Sequence, residues 1–460
     1  MIVQLVMPEV EEMIRNKDWK GLKEALNEVP AVDVAELLEE LDIDISVVIF
    51  RLLKKHHAAD VFAHLSSSTG VDLLSKLNYQ QLSDVMSNLE PDERVSLIEE
   101  LPGHLTQRVM NSLPSYAQKQ VQMMFGYPEE TVGRLMTTRY VRIKKYWTVE
   151  RSMEHIRRYG ESVETVNVIY VVDEHERLID DLKVNEIILA EPDAIIESLM
   201  DESFIALSAF DDQEDAVKML SKYDRVALPV VDSDGILIGI VTVDDIIDVA
   251  EEETTEDMQL MAGMDALENY YSETSVTEMV KKRVGWLIIL FIGQMFTATA
   301  MGFYENVIAS AVFLSLFVPM IISSGGNSGS QAATLIIRAL STEDIKASEW
   351  VHVFKREFLS GLLLGTLLGV LGYGIIIAWG YFGGETLDYE LYMSALVICL
   401  SLIGVVLFGN ISGSMLPFLL SRMGLDPAVT SAPFVATLVD VTGILIYFSI
   451  AILLLQGVVL

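Results

Sequence analysis

The chain has 460 residues, a mean hydropathy of +0.38 and a formal charge of −34. A surface that acidic repels nucleic acid and anionic lipid headgroups and attracts divalent cations. The single Cys399 excludes a disulfide framework and a cysteine metal centre. These averages cover two unlike parts: ten acids and eight bases from Lys281 onward leave 56 acids and 24 bases before it, a net of −32. The N-terminus has no basic region followed by an apolar core, so the acidic part is expected to stay in the cytoplasm.

Residues 1–134 read as an all-α helical solenoid. Stretches 34–41, 46–54, 81–89 and 94–101 carry apolar residues at spacings of three and four, with breaks at Pro30, Gly70, Pro91, Pro102-Gly103 and Pro114. His56 and His57 are adjacent and point in different directions on a helix, which argues against a metal pair. Residues 135–250 repeat themselves: Leu135-Met136-Thr137 is echoed by Leu199-Met200-Asp201, and Val171-Val172-Asp173 by Val230-Val231-Asp232. Each copy runs strand, helix, two β-rich stretches and helix, with Asp234-Gly235 as a hairpin turn in the second. This α/β pattern resembles a tandem pair of CBS modules. Gly239, Thr242 and Asp245 are similar to the family's nucleotide-binding positions, with Thr242 the candidate contact. The first copy has Asp180, Lys183 and Glu186 there, so ATP is not expected as a ligand.

Residues 251–283 are expected to form an acidic connecting helix. Asp245, Asp248 and Glu252 share one face, and Glu253, Glu256 and Asp257 the adjoining one. Like charges at this spacing destabilise a helix unless something neutralises them, and bound dications would. A solvated acidic linker is the alternative. The run is expected to lead along one helix to Lys281 and the first apolar segment.

Residues 284–460 hold five apolar runs, 284–304, 307–337, 358–384, 391–421 and 428–460, each longer than the ~20 residues needed to cross a bilayer. With five crossings, all eight basic residues from Lys281 to Arg422 fall on one side, while Glu305, Glu385, Asp388 and Glu390 fall on the other. The positive-inside rule places the N-terminus in the cytoplasm and Leu460 outside the plasma (inner) membrane. The second and fourth runs contain Gly325-Gly326-Asn327-Ser328-Gly329-Ser330-Gln331 and Gly409-Asn410-Ile411-Ser412-Gly413-Ser414. Such clusters predict broken crossings that free backbone carbonyls near a binding site, with helix packing through small residues as the alternative. Asp440 is the one ionisable side chain inside any run. An intramembrane carboxylate is costly and marks an ion path unless it only bonds a neighbouring helix. Carbonyls, amides and one carboxylate suit a hard cation such as Mg²⁺ or Ca²⁺. One carboxylate is thin for a dication, and two chains on a symmetry axis would supply two, which argues for a homodimer.

In order, a helical solenoid, an α/β tandem CBS pair, a connecting helix and a five-helix transmembrane domain make a multidomain membrane protein. With Pro319 and 325–331, Leu425-Asp426-Pro427 and 435–443, the whole chain resembles the MgtE family of magnesium channels. The resemblance implies a homodimer with a pore on its two-fold axis and no enzymatic chemistry. Asp440 then looks like the pore carboxylate, with Ala436 and Gly326 offering carbonyls to a hydrated ion. Asp245, Asp248, Glu253, Glu256 and Asp257, Asp212, Glu214 and Asp224, and Asp426 fall at positions resembling regulatory Mg²⁺ sites. Ser330 and Ala432 stand where relatives can carry Asn. The competing functions are a carrier for Co²⁺, Ca²⁺ or coupled ions, and a membrane-anchored nucleotide sensor.

Overall fold

The computed structural model describes residues 2–267, 271–272, 274–342, 344–383, 389–429 and 431–456. Glu343, Glu385, Asp388 and Leu460 lie outside the described residues. The chain forms two compact units, Met1–Glu251 and Glu252–Leu460.

The first unit begins with ten helices: α1 (Ile2–Asn16), α2 (Trp19–Leu26), α3 (Ala31–Glu40), α4 (Ile43–Phe50), α5 (Lys55–Ala63), α6 (Ser67–Lys76), α7 (Tyr79–Asn88), α8 (Pro91–Glu100), α9 (Gly103–Ser112) and α10 (Ser115–Met124). The four helices expected from periodicity are α3, α4, α7 and α8. From α3 on, helices pack on the second helix after them, α3 on α5, α5 on α7 and α7 on α9, the stacking of a solenoid. His57 Nε2 contacts the Leu26 carbonyl at 3.0 Å, tying α5 back to α2. A short helix, α11 (Val132–Leu135), then enters the core of the second α/β copy, where Val132 N–H donates to Asp211 O at 2.9 Å.

Both copies have the expected order. The first is β1 (Arg142–Lys144), α12 (Val149–Tyr159), β2 (Val168–Val172), β3 (Leu178–Lys183) and α13 (Val184–Leu189). The second is β4 (Leu207–Ser208), α14 (Gln213–Tyr223), β5 (Ala227–Val231), β6 (Leu237–Thr242) and α15 (Val243–Met261). In each, the first strand pairs parallel with the second and the second antiparallel with the third. Gly235 has φ +77°, which suits the β5–β6 turn. All five residues of β2 are buried, and Val168, Tyr170 and Val172 share a core with Leu237 and Ile240 of the other copy.

Among the described residues, five helical segments are long and apolar enough to cross a membrane. They contain α16 (Val276–Phe303), α19 (Val318–Ser341), α20 (Trp350–Gly383), α21 (Tyr389–Arg422) and α22 (Ala432–Leu455), with α17 (Glu305–Ser310) and α18 (Val312–Ser315) preceding α19. The connecting segment differs from expectation. α15 does not run on to Lys281 but ends at Met261, and α16 starts at Val276. Gly263, at φ +77°, and the bond from Met264 N–H to Gln259 O (3.2 Å) form a glycine C-cap that stops the helix.

The second crossing is interrupted between α17, α18 and α19, but neither it nor the fourth is broken at its glycine cluster. α19 and α21 run as continuous helices through their glycine clusters. A Cβ on Gly409 would collide with Gly325 O, and one on Gly413 would collide with Gly329 O. The glycines four apart on each helix therefore let two backbones touch, the packing alternative. Gly413→Ala is expected to force α19 and α21 apart at a cost of roughly 1–3 kcal/mol. Thermal unfolding of the detergent-solubilised protein should show the loss, whereas Gly374→Ala, where a Cβ would meet no other part of the described structure within 4 Å beyond its own helix backbone, should not.

Candidate ion pathway and regulatory carboxylates

α22 places Ala432, Ala436 and Asp440 four residues apart, hence on one face, and all three are half-buried. α19 runs beside this face. The Gly326 Cβ position lies 3.6 Å from the Ala436 Cβ, and Ser330 Oγ donates to the Ala432 carbonyl at 3.2 Å. The two departures, Ser330 and Ala432, are thus bonded to each other. Asp440 has a partner that the charge pattern could not reveal, because it is uncharged: Gln294 Nε2 of α16 donates to Asp440 Oδ2 at 2.6 Å. Asn410, expected to add polarity near the path, is instead buried among helices. Its Nδ2 donates to Glu357 O at 2.8 Å and to Glu357 Oε2 at 2.7 Å, and its Oδ1 accepts from Ser328 Oγ at 3.2 Å. It ties α19, α20 and α21 together, whereas Asn327 and Gln331 are exposed.

At the start of α22, Ser431 Oγ caps the helix by accepting from Phe434 N–H at 3.4 Å. The Gly263 Cβ position lies 3.3 Å from that same Oγ, and Leu260 and Met261 pack on the membrane core. The end of α15 therefore rests on the helix that carries Asp440. Asp426 is exposed and accepts from Ala428 N–H at 2.8 Å.

The expected regulatory acids do not gather into one site. Asp212 caps α14 by accepting from Glu214 N–H at 2.9 Å, Glu214 pairs with Lys218 at 2.6 Å, and Asp224 ends the helix at φ +50°. An eleven-residue helix separates Asp212 from Asp224, about 16 Å at 1.5 Å per residue. Asp248 is exposed, while Glu253, Glu256 and Asp257 are half-buried. Among the described residues, no three His, Cys, Asp or Glu side chains converge tightly enough to hold a bare metal ion.

Asp245 is different, because it meets acids that periodicity did not single out. The N-terminus of α8 contributes Glu90, Asp92 and Glu93, the first copy contributes Glu164, and the first turn of α15 contributes Asp244 and Asp245. Burial, reinforced by a shared hydrogen bond with Glu164, pushes Glu90 from 4.5 to about 8. Burial raises Glu93 to about 7, against the bond from Glu90 N–H, and raises Asp245 to about 6 despite the Thr242 hydroxyl donating to it at 2.7 Å. Asp92 is pushed well up by burial and then by the Asp245 charge. Although Asp92 is half-buried as a residue, its Oδ1 is fully enclosed and has no hydrogen-bond partner among the described residues. The nearest ion pair is Arg139 to Glu90 at 3.9 Å. An all-oxygen, like-charged cluster in which, among the described residues, Asp92 Oδ1 and Glu164 Oε2 have no hydrogen-bond partner fits a hydrated dication.

At the nucleotide positions, Thr242 is held by Asp245. In the first copy, the buried Asp180 accepts from Asp201 N–H at 3.0 Å and Glu202 N–H at 3.1 Å, and Lys183 N–H donates to Glu186 at 2.9 Å.

The sequence is 37% identical over 453 residues to the magnesium transporter MgtE of Thermus thermophilus, covering 98% of both chains. The chain belongs to the MgtE family. It is 28% identical over 439 residues to the MgtE of Bacillus subtilis, covering 95% of both chains. The MgtE intracellular N domain matches residues 29–130, the CBS domain 196–252, and the MgtE divalent cation transporter domain 318–450. The CBS match thus covers the second copy, while the first shares its strand order. The cytosolic domain of the Mg²⁺ channel MgtE in complex with ATP aligns at TM-score 0.50 and 32% identity, covering 52% of this chain and 98% of that one. The soluble part of a magnesium transporter aligns at TM-score 0.52 and 26% identity, covering 55% and 99%. This MgtE-family chain is a multi-pass membrane protein and not an enzyme.

Proposed function

We propose that this chain is a Mg²⁺-selective channel that works as a homodimer and takes magnesium up across the plasma membrane. The observation that carries this reading is Asp440, a half-exposed carboxylate on an apolar helix, in line with Ala436, which Gly326 faces. Near-full-length identity to magnesium transporters supports Mg²⁺ as the ion. The basic residues on one side of the crossings support a cytoplasmic N-terminus and a C-terminus outside.

Gating is assigned to intracellular Mg²⁺. A dication at Asp92 and Asp245 supplies positive charge between carboxylates that otherwise repel. With the charge neutralised, the solenoid stays docked on the α/β pair and the closed state is favoured; without it, repulsion loosens that contact and the pore is released. A ligand that binds the closed state better shifts the population in this way. Asp248, Glu253, Glu256, Asp257, Asp212, Glu214, Asp224 and Asp426 are further acids on which intracellular Mg²⁺ can act, each at its own place. The relative's ATP complex does not support the expectation that the α/β pair takes no nucleotide, and Thr242 is the position to test by ATP titration of the whole protein.

The test is flux into vesicles containing the purified protein, with Mg²⁺ competing against Co²⁺ and Ca²⁺. Mg²⁺ should be carried in preference to both. Preferential Co²⁺ or Ca²⁺ flux would replace magnesium as the substrate, and nucleotide binding with no ion flux would make the protein a sensor.

A further inference from the structure

α16 touches the rest of the membrane unit along a narrow stripe, and most of its apolar side chains are exposed. The stripe is Gly293, Thr297 and Ala300, with the exposed Gln294 at its edge, positions that share one helix face. A Cβ on Gly293 would come within 2.7 Å of Thr437 Cγ2, so the glycine lets α16 approach α22 one turn before Asp440. Ala300 is buried, and the Thr297 hydroxyl is enclosed without a hydrogen-bond partner among the described residues. Gln294 is the one side-chain amide in the apolar run 284–304, and its Nε2 donates to Asp440 Oδ2 at 2.6 Å.

We propose that Gln294 is a positioning residue for the ion path: its amide fixes one oxygen of Asp440, so that the other is presented to a passing hydrated cation. This rests on the reading of Asp440 as the pore carboxylate. An unanchored aspartate can rotate about two side-chain bonds and offers an ion several geometries. A hydrogen bond to a charged acceptor is stronger than a neutral one and directional, so it selects one orientation. Among the described residues Asp440 Oδ1 has no hydrogen-bond partner, which leaves it to the waters around a dication. Discrimination between Mg²⁺, which keeps a tight hydration shell, and the larger, more flexibly coordinated Ca²⁺ depends on ligand placement. A fixed carboxylate serves that discrimination and a mobile one does not. The contact also links the position of α16 to the ion site.

The test uses the full chain in proteoliposomes, with flux normalised to folded protein. Gln294→Met keeps length and shape while removing the donor, and Gln294→Leu is the second variant. Both are expected to raise half-saturating Mg²⁺ roughly tenfold, the scale of one lost charged hydrogen bond, and to reduce the preference for Mg²⁺ over Ca²⁺. Asp440→Asn, measured alongside, should be silent. Wild-type saturation and preference in both Gln294 variants, with Asp440→Asn silent, would overturn the role of Gln294 and leave the Asp440 reading standing. Normal flux in Asp440→Asn would overturn that reading itself. Loss of the fold in both Gln294 variants would also overturn the proposal, because the amide would then hold the bundle rather than orient the carboxylate.

Discussion

Asp440→Ala is expected to reduce Mg²⁺ uptake at least tenfold, the order of magnitude that loss of one ion-facing charge implies. A dication held about 5 Å from a carboxylate across one water gains roughly 2–7 kcal/mol, taking effective dielectric constants of about 80 and 20 as limits. Each 1.4 kcal/mol is about tenfold, so even the weak limit exceeds that reduction. The effect should fall on transport and not on folding, because among the described residues the side chain has one hydrogen bond, to Gln294, whereas α22 is anchored by buried Val435, Val439, Tyr447 and Phe448. Asp440→Glu keeps the charge but moves it by a methylene, and should retain part of the flux. Uptake by cells expressing each variant checks this, and wild-type rates in Asp440→Ala would remove the carboxylate from the pathway.

The second large effect is expected where α8 meets α15. Glu90, Glu93 and Asp245 titrate in the docked state at about 8, 7 and 6, all above their ordinary values. Groups raised in this way bind more protons docked than free. Their contribution is therefore fully present below about pH 4 and lost as pH rises through 6 to 8. Without Mg²⁺, the thermal midpoint of the full-length protein should fall across that window, by roughly 2–4 °C for each kcal/mol of docking lost. Mg²⁺ should restore it most strongly at the high-pH end, where deprotonated carboxylates bind metal best. At a concentration about 100 times the dissociation constant, ligand binding stabilises by about 2.7 kcal/mol. Asp92→Asn combined with Asp245→Asn should flatten both the pH and the Mg²⁺ dependence. It should also leave uptake running at internal Mg²⁺ levels that close the wild type. A double variant with unaltered Mg²⁺ stabilisation would place the regulatory ion elsewhere.

The architecture was largely legible because its signals are periodic. Apolar spacing marked α3, α4, α7 and α8, the internal repeat marked both α/β copies, and long uncharged runs marked the crossings. Asp440 was legible for the opposite reason, a lone charge where none should be. Glycine misled, because the same residues break helices and bring them together. The spacing of four in Gly325 and Gly329, matched by Gly409 and Gly413, was the signal for close packing. The end of α15 was marked by Gly263, which a continuous acidic pattern overshadowed. Asp92 and its neighbours were invisible for a physical reason. Acids in the first turn of a helix are ordinary, being favoured by the helix dipole. Only tertiary structure brings the first turn of α8 against that of α15. Gln294 was hidden likewise, since a single amide in a membrane helix carries no pattern.

The most direct test of Mg²⁺-gated magnesium conduction is flux through the full-length protein in oriented vesicles, with Mg²⁺ set independently on the side that holds the acidic domains. Flux should be high when that side is Mg²⁺-free and should close as Mg²⁺ is added there, while Asp440→Ala stays at least tenfold below the open wild type at every level. Flux indifferent to Mg²⁺ on that side, or undiminished in Asp440→Ala, would contradict it.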